Sequence, residues 1–307
     1  MPQGNNRDAR KTDYELGPHA GLLPSHGTML EPALAARPSI RHVAALWLAA
    51  ATAVAPAHAQ DEVPFVVSPE PVTLAMLAIA RVGPRDVVLD LGSGDGRIVI
   101  TAAKRFGARG LGVELSPQLV EKSRDNARRA GVAERAQFLV QDLFETDLSQ
   151  ASVITMYLLP EVNLQLRPKL LALKPGTRIV SHDWDMGDWK PDRTLVVDAP
   201  DKPVGLEKKS RVHFWRVPAQ LGGLWCAPGA ALQLEQTFQQ LRGQFTRAQA
   251  SQPIDARIDG TRVRAVLPQG QLHMALHRET LRVDRAQGPY RALRGLAFAR
   301  SSGASCP

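Results

Sequence analysis

The stretch DVVLDLGSGDGRIVITAAKRF, residues 86–106, places a short apolar run directly before a glycine-rich turn. Residues 86–91 have the length and composition of a buried strand, and residues 97–106 those of a buried helix that ends at Gly107. Glycines let a backbone approach a ligand closely, and a helix N-terminus offers N–H groups without partners inside the helix. The stretch therefore predicts a strand, a turn and a helix that together hold a cofactor with an adenosine group.

A second predicted strand, residues 110–113, ends in Glu114, which lies 22 residues after Gly92. A carboxylate at the tip of that strand is placed to accept hydrogen bonds from two ribose hydroxyls. The turn reads G-S-G-D-G, whereas dinucleotide sites favour G-x-G-x-x-G, and no other segment offers nicotinamide chemistry. These details favour S-adenosylmethionine over a dinucleotide. The residues predicted to bind it are Asp90, Gly92, Ser93, Gly94, Asp95, Gly96 and Glu114.

The flanking segments continue the alternation of helix and strand. Ser68-Pro69-Glu70 is typical of a helix start, because it combines a hydroxyl cap, a proline and an acidic residue. Further helices are predicted at residues 117–130 and 161–173. Further strands are predicted at 137–140, 152–157, 177–182, 193–197 and 211–217. We expect residues 60–218 to form one α/β domain, a Rossmann-like sheet of seven strands with helices on both faces.

Three of these motifs together resemble those of the class I, seven-strand S-adenosylmethionine-dependent methyltransferases: DVVLDLGSGDGR, GVELSP (residues 112–117) and QFLVQDL (residues 137–143). Within that class, PFVV-SP before the first helix and AAKRFGARGLGVELSP are similar to a small family of protein-lysine N-methyltransferases. That family has mitochondrial eukaryotic members and bacterial relatives. The resemblance covers residues 64–217.

The resemblance implies a methyl transfer from S-adenosylmethionine to an acceptor, a protein lysine amine in the closer family. It adds Asp142 and Leu143, at the end of the third strand, as contacts to the adenine. It also implies that the segment before the first helix folds over the cofactor, which makes Phe65 and Ser68 candidates for the substrate channel. Two alternatives stay open: a small-molecule methyltransferase, and a non-catalytic exported binding protein with a Rossmann-like domain.

The acceptor side offers candidates but no assigned catalytic residue. SHDWDMGDW, residues 181–189, follows the fifth strand, and in it Trp184 and Trp189 are candidates for the channel walls. His182 or Asp183 is a candidate proton acceptor, and Tyr157 a candidate neighbour of the methyl group. The alternatives are a surface loop with packed tryptophans and a tyrosine of the core. No set of metal ligands is recognised.

Residues 157–160 read Tyr-Leu-Leu-Pro after the fourth strand. Methyltransferases that act on adenine or on glutamine amides carry an Asn/Asp-Pro-Pro-aromatic turn there, so the departure argues against nucleic acid as the acceptor. Residues 60–218 are also nearly neutral, with 22 Lys+Arg and 21 Asp+Glu. The domain expected to be catalytic therefore lacks the strong positive charge of a nucleic-acid binder.

The first 59 residues are expected to be a leader. Residues 43–56 (VAALWLAAATAVAP) are apolar, two arginines precede them, and Ala57-His58-Ala59 follows. This order is typical of a secretory signal peptide cleaved after Ala59 and predicts an exported, periplasmic protein. An uncleaved anchor or a chance apolar helix is the alternative, and Met1 and Met29 both remain open as the start. Export conflicts with the cytoplasmic synthesis of S-adenosylmethionine, and the sequence indicates no route for its supply.

Residues 219–307 are expected to form a small antiparallel sheet or barrel of about five strands, since short alternating runs are separated by turns such as Asp259-Gly260. This region holds 11 arginines against 5 acidic residues, which accounts for most of the net charge of +8. A solvated basic surface is one interpretation, and a surface that binds the envelope or another anionic partner is the other. The region also holds the chain's two cysteines, Cys226 and Cys306, and export would suit a disulfide between them.

Overall fold

The computed structural model of this chain describes residues 66–203, 205 and 207–306. The predicted leader with its apolar run, the predicted cleavage after Ala59 and the channel candidate Phe65 lie outside the described residues. None of the helices in the described part is both long enough and apolar enough to cross a membrane.

The first part of the described chain alternates helices and strands, as the sequence predicts. The helices are α1 (Glu70–Ile79), α2 (Arg97–Phe106), α3 (Pro117–Arg129) and α4 (Pro160–Leu171). The strands are β1 (Val87–Leu91), β2 (Arg109–Glu114), β3 (Ala136–Val140), β4 (Val153–Met156), β5 (Arg178–His182), β6 (Arg193–Asp198) and β7 (Lys209–Arg216).

These strands form one seven-stranded sheet in the order β3-β2-β1-β4-β5-β7-β6. The neighbours from β3 to β5 pair in parallel, whereas β7 runs antiparallel to both β5 and β6. In this register Asp90 on β1 lies between Gly112 on β2 and Thr155 on β4. The carboxyl ends of the parallel strands therefore meet at one edge of the sheet, the edge where open α/β sheets bind ligands.

Helices cover both faces of the sheet, because successive strand residues point to opposite sides. On β1, Val88 packs in a cluster with residues of α1 and α2, while Leu89 packs in a cluster with Leu166 and Leu170 of α4. Helix α3 adds to the first side through Val120, which packs with residues of α2 and β3. The predicted fold class of this domain is confirmed.

The C-terminal part is all-β, as predicted, but it is a closed barrel of eight strands rather than about five. Its strands are β8 (Gly223–Ala227), β9 (Ala230–Thr237), β10 (Gln240–Arg247), β11 (Ala250–Asp259), β12 (Arg262–Leu267), β13 (Gly270–His277), β14 (Thr280–Ala286) and β15 (Ala297–Arg300), with a short 3-10 helix at Gly288–Leu293. Inward-facing apolar residues such as Phe245 and Phe298 fill its core. Cys226 and Cys306 form a disulfide.

Candidate functional site

The glycine-rich turn between β1 and α2 is held against the neighbouring strand by its own backbone. The N–H groups of Gly92 and Ser93 donate to the carbonyl oxygen of Val113 on β2, at 3.0 and 2.9 Å. Gly92, Gly94 and Gly96 all have positive φ, which side chains other than glycine rarely adopt. The turn can therefore pass close to a ligand without side chains in between.

Gly96 shows why this turn tolerates no side chain. It precedes the first residue of α2 with a φ of 80°. A Cβ atom at this position would lie 2.6 Å from the ring of Phe138 and 2.9 Å from the Cβ of Ser123. The requirement for glycine here comes from both the backbone conformation and the packing of β3 and α3.

Asp90, the last but one residue of β1, is a buried carboxyl that faces the same turn. Its Oδ1 accepts a hydrogen bond of 2.7 Å from the hydroxyl of Thr155. Burial raises the pKa of Asp90 to about 8, against the lowering effect of this hydrogen bond, and the carboxylates of Asp95 and Glu114 raise it further. A positively charged ligand group would reverse this effect and favour the ionised carboxylate.

Glu114 lies where its strand ends, next to the turn. Its Oε2 accepts a hydrogen bond of 3.0 Å from the Gly94 N–H, and its Oε1 accepts one of 3.1 Å from the Ser116 N–H. The carboxylate thus joins the turn after β1 to the loop after β2. Its remaining lone pairs are directed by two backbone contacts rather than by a flexible side chain alone.

Arg97 joins the turn to the segment before α1. Its guanidinium donates to Asp95 Oδ2 at 2.7 Å and to the carbonyl oxygen of Ser68 at 3.0 Å. Burial would raise the pKa of Asp95, but the hydrogen bond and charge of Arg97 hold that pKa below its usual value. Asp95 is therefore an ionised anchor that fixes the segment before α1 over the turn.

A cavity lies between this segment, the turn and the end of β4. Asp90, Gly92, Ser93, Gly94 and Asp95, all predicted cofactor residues, line it. The remaining lining residues are Val66, Val67, Ser68, Arg97, Ile98 and Tyr157. The structure thus brings residues predicted from the cofactor motif together with Ser68 and Tyr157, which were predicted for the acceptor side.

Tyr157 lies against a buried histidine. The ring centroids of Tyr157 and His182 are 3.9 Å apart. The Nδ1 atom of His182 lies 2.8 Å from the Ser68 hydroxyl, and its Nε2 lies 2.9 Å from the Ser210 hydroxyl. Burial lowers the pKa of His182 to about 4, so the imidazole is neutral at ordinary pH and both of its nitrogens are engaged.

Asp183 is held in an equally complete set of contacts. Its Oδ2 accepts from the Lys202 ammonium at 2.7 Å, and its Oδ1 accepts from the Arg211 N–H at 2.8 Å. Its φ of 61° places it in the left-handed region, and its own N–H donates to the carbonyl oxygen of Arg211 at 2.7 Å. The structure thus gives Asp183 the geometry of a residue that fixes the start of the loop after β5.

The two tryptophans of this loop, residues 183–192 between β5 and β6, occupy different surroundings. The side chain of Trp184 is 43% exposed, and the amide of Asn163 on α4 donates to its carbonyl oxygen at 3.3 Å. Trp189 is completely buried and packs near Trp215 and Phe238, with ring centroids 6.1 and 6.2 Å away. Of the two channel candidates, Trp184 is the one that faces solvent.

Asp142 and Leu143 follow β3 and are not among the residues that line the cavity. The Gln141 N–H next to them donates to the carbonyl oxygen of Glu114 at 3.0 Å, so they lie beyond Glu114 along the same edge of the sheet. Asp142 is exposed, and its Oδ1 accepts from the Phe144 N–H at 2.7 Å.

Three residues of the site carry no expectation from the sequence. Arg97 directly follows the glycine-rich turn, so its position was a usable signal. Thr155 and Ser210 contact Asp90 and His182 only through the pairing of strands that are distant in the chain. A single sequence contains no local signal for either contact.

The profile of one protein family matches residues 90–193, and the family is described as the ANTKMT methyltransferase domain. The match begins at Asp90, includes the turn, Glu114 and Tyr157, and ends at the first residue of β6. The barrel is not part of it.

Curated relatives share the same region. A protein-lysine N-methyltransferase of Saccharolobus islandicus (strain REY15A) is 46% identical over 138 residues, which are 44% of this chain and 86% of that protein. A lysine N-methyltransferase of Mus musculus, whose name refers to ATP synthase, is 42% identical over 111 residues, or 36% of this chain and 44% of that protein. The chain spans about half the length of the mouse, rat and human proteins of that name, between 44% and 51%.

A solved structure from Salinibacter ruber, described as an RNA methyltransferase in complex with S-adenosyl-L-homocysteine, is 52% identical. The match covers 51% of this chain and 96% of that one, with a TM-score of 0.46.

Proposed function

Because this chain belongs to the protein-lysine N-methyltransferases, we propose that the cavity at the carboxyl edge of its sheet is where a lysine amine of another protein is methylated. The chain is an S-adenosylmethionine-dependent methyltransferase. The observation that carries the proposed site is that Asp90, the glycine-rich turn and Tyr157 line one cavity. The cofactor residues and an aromatic side chain suited to the acceptor side are thereby brought together.

The residues of the cavity fit S-adenosylmethionine by shape and by charge. A glycine turn whose positive φ angles exclude side chains leaves room for the cofactor beside the backbone. Asp90 would hold its positively charged amino acid part, since that charge offsets the cost of ionising a buried carboxyl. Glu114 would accept the ribose hydroxyls, and Asp142 with Leu143 would contact the adenine beyond it.

The bound cofactor supplies a methyl group on a sulfonium sulfur, which an amine nitrogen displaces in line, so that the N–C bond forms as the C–S bond breaks. The protein's contribution is to align the two reactants and exclude water. The segment 66–68, clamped by Arg97, covers one side of the cavity. Tyr157 closes another, and its aromatic face suits a cationic or methylated amine.

Tyr157 stays a neutral phenol at this site. Burial raises its pKa, and the nearby carboxylate of Asp183 raises it further. His182 lies against the Tyr157 ring and is fixed by Ser68 and Ser210, so it acts as a positioning residue for Tyr157. A lysine that enters this half-buried site loses water and therefore loses its proton more easily, because desolvation lowers the pKa of an ammonium group. The proton can leave to solvent.

Transfer of a labelled methyl group tests this proposal. The purified chain would be incubated with methyl-labelled S-adenosylmethionine and with cytosolic and envelope extracts in separate reactions. We expect label in protein that is removed by protease and unaffected by ribonuclease. Label removed by ribonuclease would favour an RNA acceptor, and label confined to small molecules would favour the small-molecule alternative. Binding of the cofactor without any transfer, in both extracts, would contradict the enzymatic proposal.

The matched variants for this experiment are Glu114→Ala and Glu121→Ala. Glu114 contacts the turn through Gly94, whereas Glu121 lies on the exposed face of α3 and pairs only with arginines of its own helix. We expect Glu114→Ala to abolish the transfer and Glu121→Ala to leave it unchanged.

We also propose that the protein is exported and acts outside the cytoplasm. The disulfide between Cys226 and Cys306 supports this, since such bonds persist in oxidising compartments. Mass spectrometry of protein from the cell envelope would detect a mature N-terminus at Gln60 if the leader is cleaved after Ala59. An N-terminus that retains the apolar run 43–56 would contradict cleavage.

We propose further that the outer face of the barrel binds an anionic surface of the envelope. Strand pairing places Arg257, Arg264, His273 and Arg285 side by side across β11, β12, β13 and β14. Like charges in such positions repel, and no ion pair with Arg264 or Arg285 is present in the described part of the chain. Co-sedimentation with vesicles that contain anionic phospholipid should be lost in Arg264→Gln/Arg285→Gln. Equal binding to neutral vesicles would contradict the proposal.

A further inference from the structure

The barrel contacts the methyltransferase domain at the β5–β6 loop, residues 183–192. At the turn between β9 and β10, Phe238 stacks on Trp189, with ring centroids 6.2 Å apart and the ring planes inclined by 17°. Trp189 is completely buried, and its Nε1 has no hydrogen-bond partner among the described residues. The orientation of this indole therefore depends on the rings packed around it.

Polar contacts join the same two parts on either side of this stack. The Gln239 side chain, which is buried, donates to the carbonyl oxygen of Lys190 at 2.8 Å. The guanidinium of Arg257 on β11 donates to Asp192 Oδ1 at 2.6 Å. The last third of the loop is thus fixed by the barrel through one aromatic contact, one hydrogen bond and one ion pair.

The beginning of the loop is fixed by the methyltransferase domain. Asn163 on α4 donates to the carbonyl oxygens of Trp184 and Asp185, each at 3.3 Å. Arg167, one turn further along α4, donates to the carbonyl oxygen of Met186 at 2.9 Å. The same guanidinium lies 5.7 Å from the centroid of the Phe238 ring, so α4 and the barrel turn meet at the loop.

The backbone at Phe238 indicates that this side chain is needed. Its φ of 52° lies in the left-handed region, which glycine adopts more easily than phenylalanine. Arg278 occupies the equivalent place in the turn between β13 and β14, with a φ of 54°, but its side chain is exposed and makes no contact with the loop. The two turns have the same backbone form, and only the β9–β10 turn presents a ring to the methyltransferase domain.

We propose that the barrel is a positioning element for the acceptor, with Phe238 as its positioning residue. Phe238 fixes Trp189, and Trp189 fixes the loop whose other end carries Trp184 and adjoins the Tyr157–His182 pair. The barrel thereby sets the wall against which the acceptor protein docks, while the cofactor turn after β1 is independent of it. The proposal rests on the proposed function for its effect on methylation, but its structural part does not.

Hydrogen exchange tests the structural part in the full chain. In Phe238→Ala we expect the amides of residues 183–192 to exchange about tenfold faster, because an aromatic contact and its buried area are lost. The amides of residues 92–97 should be unchanged. Phe238→Tyr keeps the ring and should restore the slow exchange. Arg278→Ala, at the equivalent turn, should have no effect on either segment.

Kinetics with the acceptor then tests the functional part. Phe238→Ala should raise the KM for the acceptor protein about tenfold while the Kd for S-adenosylmethionine stays the same, and Phe238→Tyr should restore the KM. Unchanged exchange in residues 183–192 would overturn the proposal whether or not the wild-type chain methylates anything. Faster exchange with an unchanged KM would overturn the role in acceptor docking. Failure of the wild-type chain to methylate would count against the proposed function and leave the exchange result to stand by itself.

Discussion

The phenol ring of Tyr157 lies against the imidazole of His182, with 3.9 Å between the ring centroids. Tyr157 lines the cavity, and His182 lies behind it without any exposed surface. Since hydroxyl groups from the segment before α1 and from β7 fix the imidazole, three separate parts of the chain determine where the Tyr157 ring is placed. The site is therefore sensitive to changes at residues that never touch a substrate.

The neutral state of His182 predicts a loss of stability in acid. Its pKa is about 4 in the folded chain, against an ordinary value of 6.5. Between these two pH values the unfolded chain binds a proton at His182 and the folded chain does not, so the free energy of unfolding falls as the pH drops. We expect a loss of roughly 1–3 kcal/mol across this window, measured by urea denaturation.

His182→Asn should flatten that dependence, although it lowers stability at neutral pH by breaking the contacts to Ser68 and Ser210. His277→Asn, a change at an exposed residue of β13, is the control and should leave the dependence in place. A wild-type profile that is flat between pH 6.5 and 4 would contradict the placement of a neutral, buried imidazole.

Asp90 predicts the opposite dependence on pH. With a pKa of about 8 against an ordinary 3.8, the folded chain keeps a proton in that window which the unfolded chain has lost. The free energy of unfolding of the cofactor-free chain therefore falls as the pH rises through the window. Asp90→Asn keeps an acceptor for Thr155 and removes the ionisable group. It should stabilise the chain above pH 8 by about 1–3 kcal/mol in thermal or urea unfolding.

The same variant should weaken the cofactor complex. A positively charged cofactor group favours the ionised form of Asp90, so the affinity for S-adenosylmethionine should rise with pH up to about 8. In Asp90→Asn the affinity should be lower by about tenfold or more, because a charge-assisted hydrogen bond is lost. Calorimetric titrations on either side of that pH measure both effects. Equal affinity of the two proteins at high pH would remove Asp90 from the binding site.

Gly96 and Gly131 form a matched pair for testing the cofactor turn. Their φ angles are 80° and 70°, but a Cβ at Gly96 would lie 2.6 Å from Phe138, whereas one at Gly131 would meet nothing within 4 Å. Gly131→Ala should cost about 1 kcal/mol from the backbone alone. Gly96→Ala should cost roughly 2–4 kcal/mol, since overpacking is added, and should also reduce cofactor binding. Equal losses in thermal unfolding would contradict the close packing of the turn.

Much of the methyltransferase domain could be predicted from sequence because its signals are local. The run 86–97 contains its own strand, turn and helix start, and the observed β1 and α2 follow that pattern. The seven-strand count also follows from the order of apolar runs. These features depend on residues that are close together in the chain.

The barrel was harder to predict, because its strands are less regular. Strands β9 to β11 carry many glutamines and threonines and a glycine, Gly243, so the alternation that marks a strand is weak there. The contact between Phe238 and Trp189 joins a barrel turn to a loop 49 residues away. Likewise, Ser68 and His182 are 114 residues apart. Such contacts arise from tertiary packing, for which a single sequence has no pattern.

The atom that receives the methyl group decides whether this chain modifies lysine. The wild-type chain would be incubated with methyl-labelled S-adenosylmethionine and an envelope extract, and the labelled protein would be digested and sequenced by mass spectrometry. We expect the label to reside on the Nζ atom of lysine and to be absent with Asp90→Asn and Glu114→Ala. Label on any other atom, or transfer that persists undiminished in both variants, would contradict the proposed function.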